Sequence, residues 1–380
     1  MTEGRALMPT TARPMRPRSG ARAARRIVAG ARRTFDRLAG AARGSIGVGA
    51  ALALLALGAC TPTVVPRGPT TQAAQIDTDR IVAGDGAVLP LRSWAPATPP
   101  RAVVLALHGF ADYSNGFTEP APSWAEHGIL TYAYDQRGFG KAPHFGRWAG
   151  TEAYVEDLRE AVALLHARHR DTPLFVLGES MGGAIAMAGA ARGALDDARG
   201  LILVAPAVRG SEAIGPVAAG LLRGLAHSVP WLAGPSGSPG IRPTDNIALL
   251  RRLSRDPLML RGPRVDITWG LVQLMDDAVA AAPGIRLPTL VLVGARDILV
   301  PDGAMARTLA RLPAAGPDRR RVAIYDNGWH MLLRDLDAAR VHGDVAHWIA
   351  TRSTDPASPL PSGADRQAGW TAPARTLAEP

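Results

Sequence analysis

The chain of 380 residues is short of three things: cysteine, long apolar runs and positive charge outside its first sixty residues. Its one cysteine, Cys60, closes no internal disulfide, so an oxidising compartment is neither required nor excluded. The longest apolar stretch is residues 45–59, fifteen residues rich in Ala and Leu. A spanning helix needs roughly twenty, so this one is too short to read as a transmembrane anchor. The formal charge is +10, but residues 1–59 hold eleven arginines against two acids, Glu3 and Asp36, and so carry +9 of it. From Cys60 onward the balance is about neutral, which leaves no basic field to hold phosphates and excludes a nucleic-acid partner. No internal repeat and no phosphate loop occur. His166 and His169 lie three apart with no cysteine or acid completing a zinc pattern, so neither a metal nor another cofactor is implied.

Positive charge followed by a short apolar run is the layout of an export signal. The run ends in Leu57-Gly58-Ala59-Cys60, which resembles the lipobox of bacterial lipoproteins. The resemblance implies cleavage before Cys60, lipidation of Cys60 and an exported, membrane-anchored protein of the cell envelope, on the periplasmic side. The alternative is a chance cysteine beside a helix. The leader is long, so either translation starts later, for instance at Met15, or the extension is real. Arg32-Arg33-Thr34-Phe35 also resembles a twin-arginine export motif, with Asp36 where an apolar residue is usual. Residues 60–77 then read as a tether.

A composition that is 47% hydrophobic is ample for a large core. Within 78–352, short β-branched runs at 102–107, 129–134, 174–177, 201–204, 289–293 and 321–325 alternate with helical segments, which predicts an α/β fold with a mostly parallel central sheet flanked by helices. The runs lack polar alternation, as strands covered on both faces should. Residues 89–94 suit an antiparallel edge strand, and the apolar spacing over 153–166 is helical. About 207–286 the alternation breaks into helix-like segments divided by turns such as Gly234-Pro235-Ser236-Gly237. This reads as a helical cap inserted between two core strands, over the strand ends where open α/β sheets bind ligands. The Pro/Ser/Ala-rich tail, 353–380, is expected to be disordered.

Gly178-Glu179-Ser180-Met181-Gly182-Gly183 follows an apolar strand run and precedes the small, helix-prone stretch 184–191. This is G-x-S-x-G in its required setting of strand, tight turn and helix, with Gly178 and Gly182 permitting the close approach that exposes the Ser180 hydroxyl. A serine hydroxyl is a poor nucleophile unless a base takes its proton. On the α/β-hydrolase fold that carries this motif, the acid and then the histidine follow the serine. Gly294-Ala295-Arg296-Asp297 puts a carboxylate just past one strand, and Asp326-Asn327-Gly328-Trp329-His330 puts an imidazole past the last. Ser180 is then the nucleophile, His330 its base and Asp297 the group that orients the base. Asp326, close to His330 in sequence, and Asp302 are rivals for the acid. The oxyanion donors expected by position are the amides of Met181 and of Phe110, in the loop His108-Gly109-Phe110-Ala111-Asp112. His108 precedes the serine and is expected to shape that loop rather than to react. His342 and His347 read as helix-surface residues.

These landmarks, with Asp135-Gln136-Arg137-Gly138-Phe139-Gly140 and Asp256-Pro257-Leu258, resemble in order the monoacylglycerol lipase and lysophospholipase group of α/β-hydrolases. Lys141-Ala142 departs from the pattern, where the group often has serine, and the leader is not general to it. The resemblance implies hydrolysis of a carboxylic ester through an acyl-enzyme. It leaves open small-ester carboxylesterases, acyltransferases and peptidases on the same fold. The runs 217–222 and 269–275 are apolar enough to line an acyl channel or to pack on the domain below. No carboxylate or arginine cluster presents itself for a charged substrate, so a monoacylglycerol, a lysophospholipid or a smaller ester is expected. The rival class is a non-catalytic envelope lipoprotein on a hydrolase scaffold.

Overall fold

Among the described residues nine strands, numbered in chain order, form one sheet in the order β1-β2-β3-β5-β4-β6-β7-β8-β9. The elements, in a computed structural model that describes residues 62–234, 241–313, 319–352 and 354–366, follow one another along the chain. They are β1 (Gln75–Ile76), β2 (Arg80–Val82), β3 (Val88–Trp94), β4 (Ala102–Leu107), α1 (Pro120–Glu126), β5 (Ile129–Tyr134), α2 (Thr151–Arg168), β6 (Leu174–Glu179), α3 (Met181–Ala191) and β7 (Gly200–Val204). The inserted segment carries α4 (Ser211–Ile214), α5 (Pro216–Ser228), α6 (Ile247–Leu253) and α7 (Val265–Ala281). The last part is β8 (Thr289–Gly294), α8 (Asp302–Arg311), β9 (Arg320–Tyr325) and α9 (Ala338–Thr351). The leader with Cys60, residues 235–240 and residues 367–380 lie outside the described residues.

The six strands from β5 to β9 run parallel. Their lack of polar alternation has a direct cause: successive side chains enter different cores, and both are apolar. Val103, Leu105 and Leu107 join Leu158 and Leu165 of α2 and Ile185 of α3 on one face. Val104 and Ala106 join Trp124 of α1 and Val345 and Trp348 of α9 on the other. All of β4, β5, β6, β7 and β8 is buried.

The structure corrects four expectations. Residues 88–94 are antiparallel to β5 as expected, yet they are not the edge, because β2 and β1 extend the sheet beyond them. These added strands are too short for a readable pattern. The stretch 60–77 is not a free tether from Pro62 on. The Val65 amide donates to the Trp148 carbonyl at 2.8 Å, Arg67 pairs with Asp157 at 3.2 Å and with Glu160, and Gln75–Ile76 is β1. Charged and backbone groups hold this strap, so it has no apolar period. The tail is likewise held against the domain over residues 354–366. Ile324 donates to Ala364 at 2.9 Å and Arg366 to Val322 at 2.8 Å, while Leu360 and Ala364 are buried. The outer edge of β9 offers unpaired backbone groups, and the tail takes them.

The fourth correction divides the cap. α7 belongs to the body of the domain: Ile267, Leu274 and Ala278 are buried in the same core as α2 and α3, with Leu271 and Met275 half-buried against it. At Gly270 the backbone lies so close to the Trp148 ring that a Cβ would come within 2.5 Å of it. Of the two runs offered as channel lining, 269–275 therefore packs on the domain. The other, in α5, lies outside: Val217 is 84% exposed and Leu221 64%, and Ala226 alone is buried in that helix.

Candidate active site

The centre of the site is the turn from β6 into α3. Ser180 has φ 52° and ψ −112°, a positive-φ geometry that a side-chain-bearing residue holds only under constraint. The constraints are explicit. The Ser180 amide donates to Val204 and its carbonyl accepts from Ala207, both at 2.9 Å. A Cβ on Gly178 would come within 2.4 Å of the Gly182 carbonyl oxygen, and one on Gly182 within 2.2 Å of that of Leu107. Two expected glycines are thus the ones the turn requires.

The loops after β8 and β9 are fastened to each other. Ala295 donates to Tyr325 and Arg296 to Gly328, at 2.9 and 2.8 Å. Gly294 touches Gly328 and Trp329 so closely that a Cβ there would come within 2.4 Å of the Trp329 carbonyl. These contacts bring Asp297 to His330, with His330 Nδ1 2.8 Å from Asp297 Oδ2. His330 Nε2 is 2.9 Å from Ser180 Oγ. The second Asp297 oxygen accepts the amides of Leu299 and Val300, at 2.8 and 3.1 Å. With Nδ1–H donating to the carboxylate, Nε2 is left to accept from the serine hydroxyl. Burial lowers the His330 pKa, but the charge and hydrogen bond of Asp297 outweigh it and, helped by Glu179, hold it above the ordinary imidazole value. Asp326 instead points to solvent, 83% exposed, beside Arg366 at 3.6 Å. Asp302 opens α8.

The loop with Phe110 runs alongside Ser180, since a Cβ on Gly109 would sit 3.4 Å from Ser180 Cβ. Met181 is the first residue of α3, where an amide has no acceptor within the helix. His108 is wholly buried and sits under the loop. Its Nε2 accepts the Gln136 amide at 3.0 Å and its Nδ1 donates to the Gly109 carbonyl at 2.9 Å. Burial lowers its pKa. Asp135 accepts the Ser114 and Lys141 amides, at 3.0 and 2.9 Å, so the Asp135–Gly140 stretch braces the same loop.

One part of the site escaped the sequence altogether. Behind Ser180, Arg334 lies 2.6 Å from Asp112 and 3.2 Å from Glu179, and all three side chains are at most 5% exposed. Burial works against the Arg334 charge, but Asp112 and then Glu179 keep it fixed. Burial raises the Glu179 pKa, opposed by Arg334. The cluster ties the Ser180 turn, the Phe110 loop and the His330 loop together. Nothing local announces it, because its members come from three distant segments. Asp335 adds a further brace by accepting the Trp329 amide at 2.7 Å, and burial lifts its pKa to about 6. His342, expected at the surface, is buried: its Nε2 bonds the Leu333 carbonyl at 2.8 Å and its carbonyl accepts from Trp124. Among the described residues no cluster of His, Cys, Asp or Glu could hold a metal ion.

Comparison with known proteins gives this geometry a family. Residues 98–337 match the family described as serine aminopeptidase, S33. The chain is similar to a monoacylglycerol lipase of Mycolicibacterium smegmatis, 28% identical over 68% of this chain and 91% of that protein. It is 29% identical to the human monoglyceride lipase, over 73% of this chain and 91% of that one. In structure it is similar to a soluble variant of the Saccharomyces cerevisiae monoglyceride lipase in complex with a substrate analog, with TM-score 0.61 and 20% identity over 76% and 99% of the two chains. The chain belongs to this serine hydrolase family, an α/β-hydrolase of the monoacylglycerol lipase-like group.

Proposed function

We propose that this ester-hydrolysing enzyme cleaves a carboxylic ester with an acyl chain, a monoacylglycerol or a lysophospholipid, through a Ser180–His330–Asp297 triad. The observation that carries the reading is the unbroken chain of contacts from Ser180 Oγ through His330 to Asp297, at 2.9 and 2.8 Å. His330 Nε2 takes the hydroxyl proton as Ser180 Oγ attacks the ester carbonyl. Asp297 stabilises the imidazolium that forms, and the amides of Phe110 and Met181 receive the oxyanion. His330 returns the proton to the leaving alcohol, and water then hydrolyses the acyl-enzyme by the same route.

The acyl chain is argued from the relatives that are named monoacylglycerol or monoglyceride lipases and from the outer cap, where Val217, Leu221, Trp231, Leu232 and Ile247 stand exposed. The family description favours a second reading, an aminopeptidase. Such an enzyme captures an amine with a carboxylate, and the two carboxylates behind the nucleophile, Asp112 and Glu179, are already paired to Arg334. The test is hydrolysis of 1-monoacylglycerols, lysophospholipid and aminoacyl-p-nitroanilides by wild type and Ser180→Ala. Ester cleavage lost in the variant is expected; cleavage of the anilides alone overturns the ester reading.

We also propose that Cys60 is lipidated and anchors the enzyme to a membrane of the cell envelope. The lipobox-like Leu57-Gly58-Ala59-Cys60 supports this. Cys60→Ala is expected to release the protein to the soluble fraction or to leave its leader uncleaved. A wild-type protein with an unmodified Cys60 and an intact leader contradicts it.

A further inference from the structure

The Asp256-Pro257-Leu258 landmark lies in the cap, and the chemistry above gives it no task. Its carboxylate is built into two bonds: Oδ1 accepts the Leu258 amide at 2.9 Å, closing the turn on itself, and Oδ2 accepts the Tyr113 hydroxyl at 2.7 Å. Tyr113 is buried and stands three residues after Phe110. Its phenol is held well above its ordinary pKa, by burial first and then by Asp256, so it stays a donor. Two residues on from Leu258, the Leu260 amide donates to the Ala111 carbonyl at 3.0 Å. Ala111 has φ 66°, a left-handed conformation that a residue with a side chain keeps only when its surroundings hold it. The cap turn therefore grips the Phe110 loop at two residues C-terminal to the expected oxyanion donor, Ala111 and Tyr113. From below, the same loop rests on Phe139, whose ring meets that of Phe110 edge-on at 5.7 Å.

We propose that Asp256, acting through Tyr113 and together with the Leu260 amide on Ala111, positions the oxyanion loop, so that the cap has to be seated for Phe110 to point its amide at the reacting carbonyl. Asp256 and Tyr113 are positioning residues; neither touches substrate. The inference rests on the reading of Ser180 as nucleophile and of Phe110 and Met181 as oxyanion donors. An oxyanion donor strengthens its bond in the transition state, so a loosened loop lowers kcat more than it raises KM. It also weakens a tetrahedral adduct more than it weakens substrate.

The experiment compares wild type, Tyr113→Phe and Asp256→Asn on p-nitrophenyl butyrate and in inhibition by butylboronic acid, which adds to the serine as a tetrahedral boronate. Tyr113→Phe removes one hydrogen bond to a charged group, and kcat is expected to fall roughly 10- to 100-fold with KM within about twofold. Boronate affinity should fall in step with kcat, and the unfolding temperature should stay near that of wild type. Asp256→Asn keeps a weaker bond to the hydroxyl and is expected to fall between the two; it carries the test alone where Tyr113→Phe does not fold. Unchanged kcat, a loss shared equally by KM, or unchanged boronate affinity overturns the proposal. Labelling of wild-type Ser180 by a fluorophosphonate separates this outcome from failure of the nucleophile assignment itself.

Discussion

The strand ends and the outer cap are built on opposite terms. At the strand ends each expected reacting group is held by several partners. Ser180 is pinned by Val204 and Ala207, Asp297 by two amides and an imidazole, and the three loops behind them by Arg334. In the cap, α5 leaves Val217 and Leu221 in solvent and buries Ala226 alone. The first arrangement suits electrostatic preorganisation, which depends on groups that do not move as charge develops. The second leaves apolar area free for an acyl chain or an interface. Two parts of the insertion are bonded to the loops of the site: the turn at Asp256 to the Phe110 loop, and residues 243–246 to the loop after His330.

The comparison predicts where substitutions cost activity and where they cost stability. The largest effect belongs to the triad. Ser180→Ala and His330→Ala should each lower kcat on the order of 10³-fold or more with little change in unfolding temperature, and Asp297→Asn should act comparably by favouring the wrong imidazole tautomer. Asp326→Asn should leave steady-state kinetics near those of wild type; if instead it abolishes activity and Asp297→Asn does not, the acid is Asp326. Next comes the buried cation. Arg334→Met strands Asp112 and Glu179 without their partner and should destabilise the fold by about 3–5 kcal/mol in denaturant titration. Wild-type stability in that variant would mean that the cluster does not hold the loops.

Two leucines then sharpen the contrast inside the insertion. Leu274 of α7 is fully buried, so Leu274→Ala should cost about 2–5 kcal/mol of stability. Leu221→Asp, on the open face of α5, should change stability by no more than about 0.5 kcal/mol. It should lower the kcat/KM ratio of long-chain to acetate esters, because only a long chain reaches that face. An unchanged ratio would place α5 away from the acyl path, and an equal loss of stability in the two variants would erase the division of the cap. The smallest effect is on pH dependence. Asp297 holds the His330 pKa above the ordinary imidazole value. If His330 is the proposed base it works only when neutral, so kcat/KM should rise with pH through an acid limb whose midpoint lies above about 6.5. A midpoint below that value contradicts the Asp297–His330 pairing.

What the sequence made legible follows from where its signals sit. Each parallel strand is a continuous apolar run because Val103 and Val104 face different cores, and such runs read clearly. Ser180, Asp297 and His330 each lie within five residues of the end of such a strand, where the serine motif and the order of serine, acid and histidine direct the eye. The Arg334–Asp112–Glu179 cluster could not be read in this way, because its members are joined only by the fold. The strap and the tail were missed for a related reason. Arg67 bonds Asp157, and Ile324 bonds Ala364, through charges and backbone that leave no periodic trace. The cap was read as one unit because both its apolar runs look alike in sequence; burial alone separates Leu274 from Leu221.

The most direct test of the account is the site of covalent capture. The folded enzyme is treated with a fluorophosphonate, with and without a monoacylglycerol as competitor, and the adduct is located by peptide mass spectrometry. The account predicts one adduct, on Ser180, slowed by the monoacylglycerol and by His330→Ala and absent in Ser180→Ala. An adduct on another residue, or no adduct on wild-type enzyme that hydrolyses the ester, contradicts it.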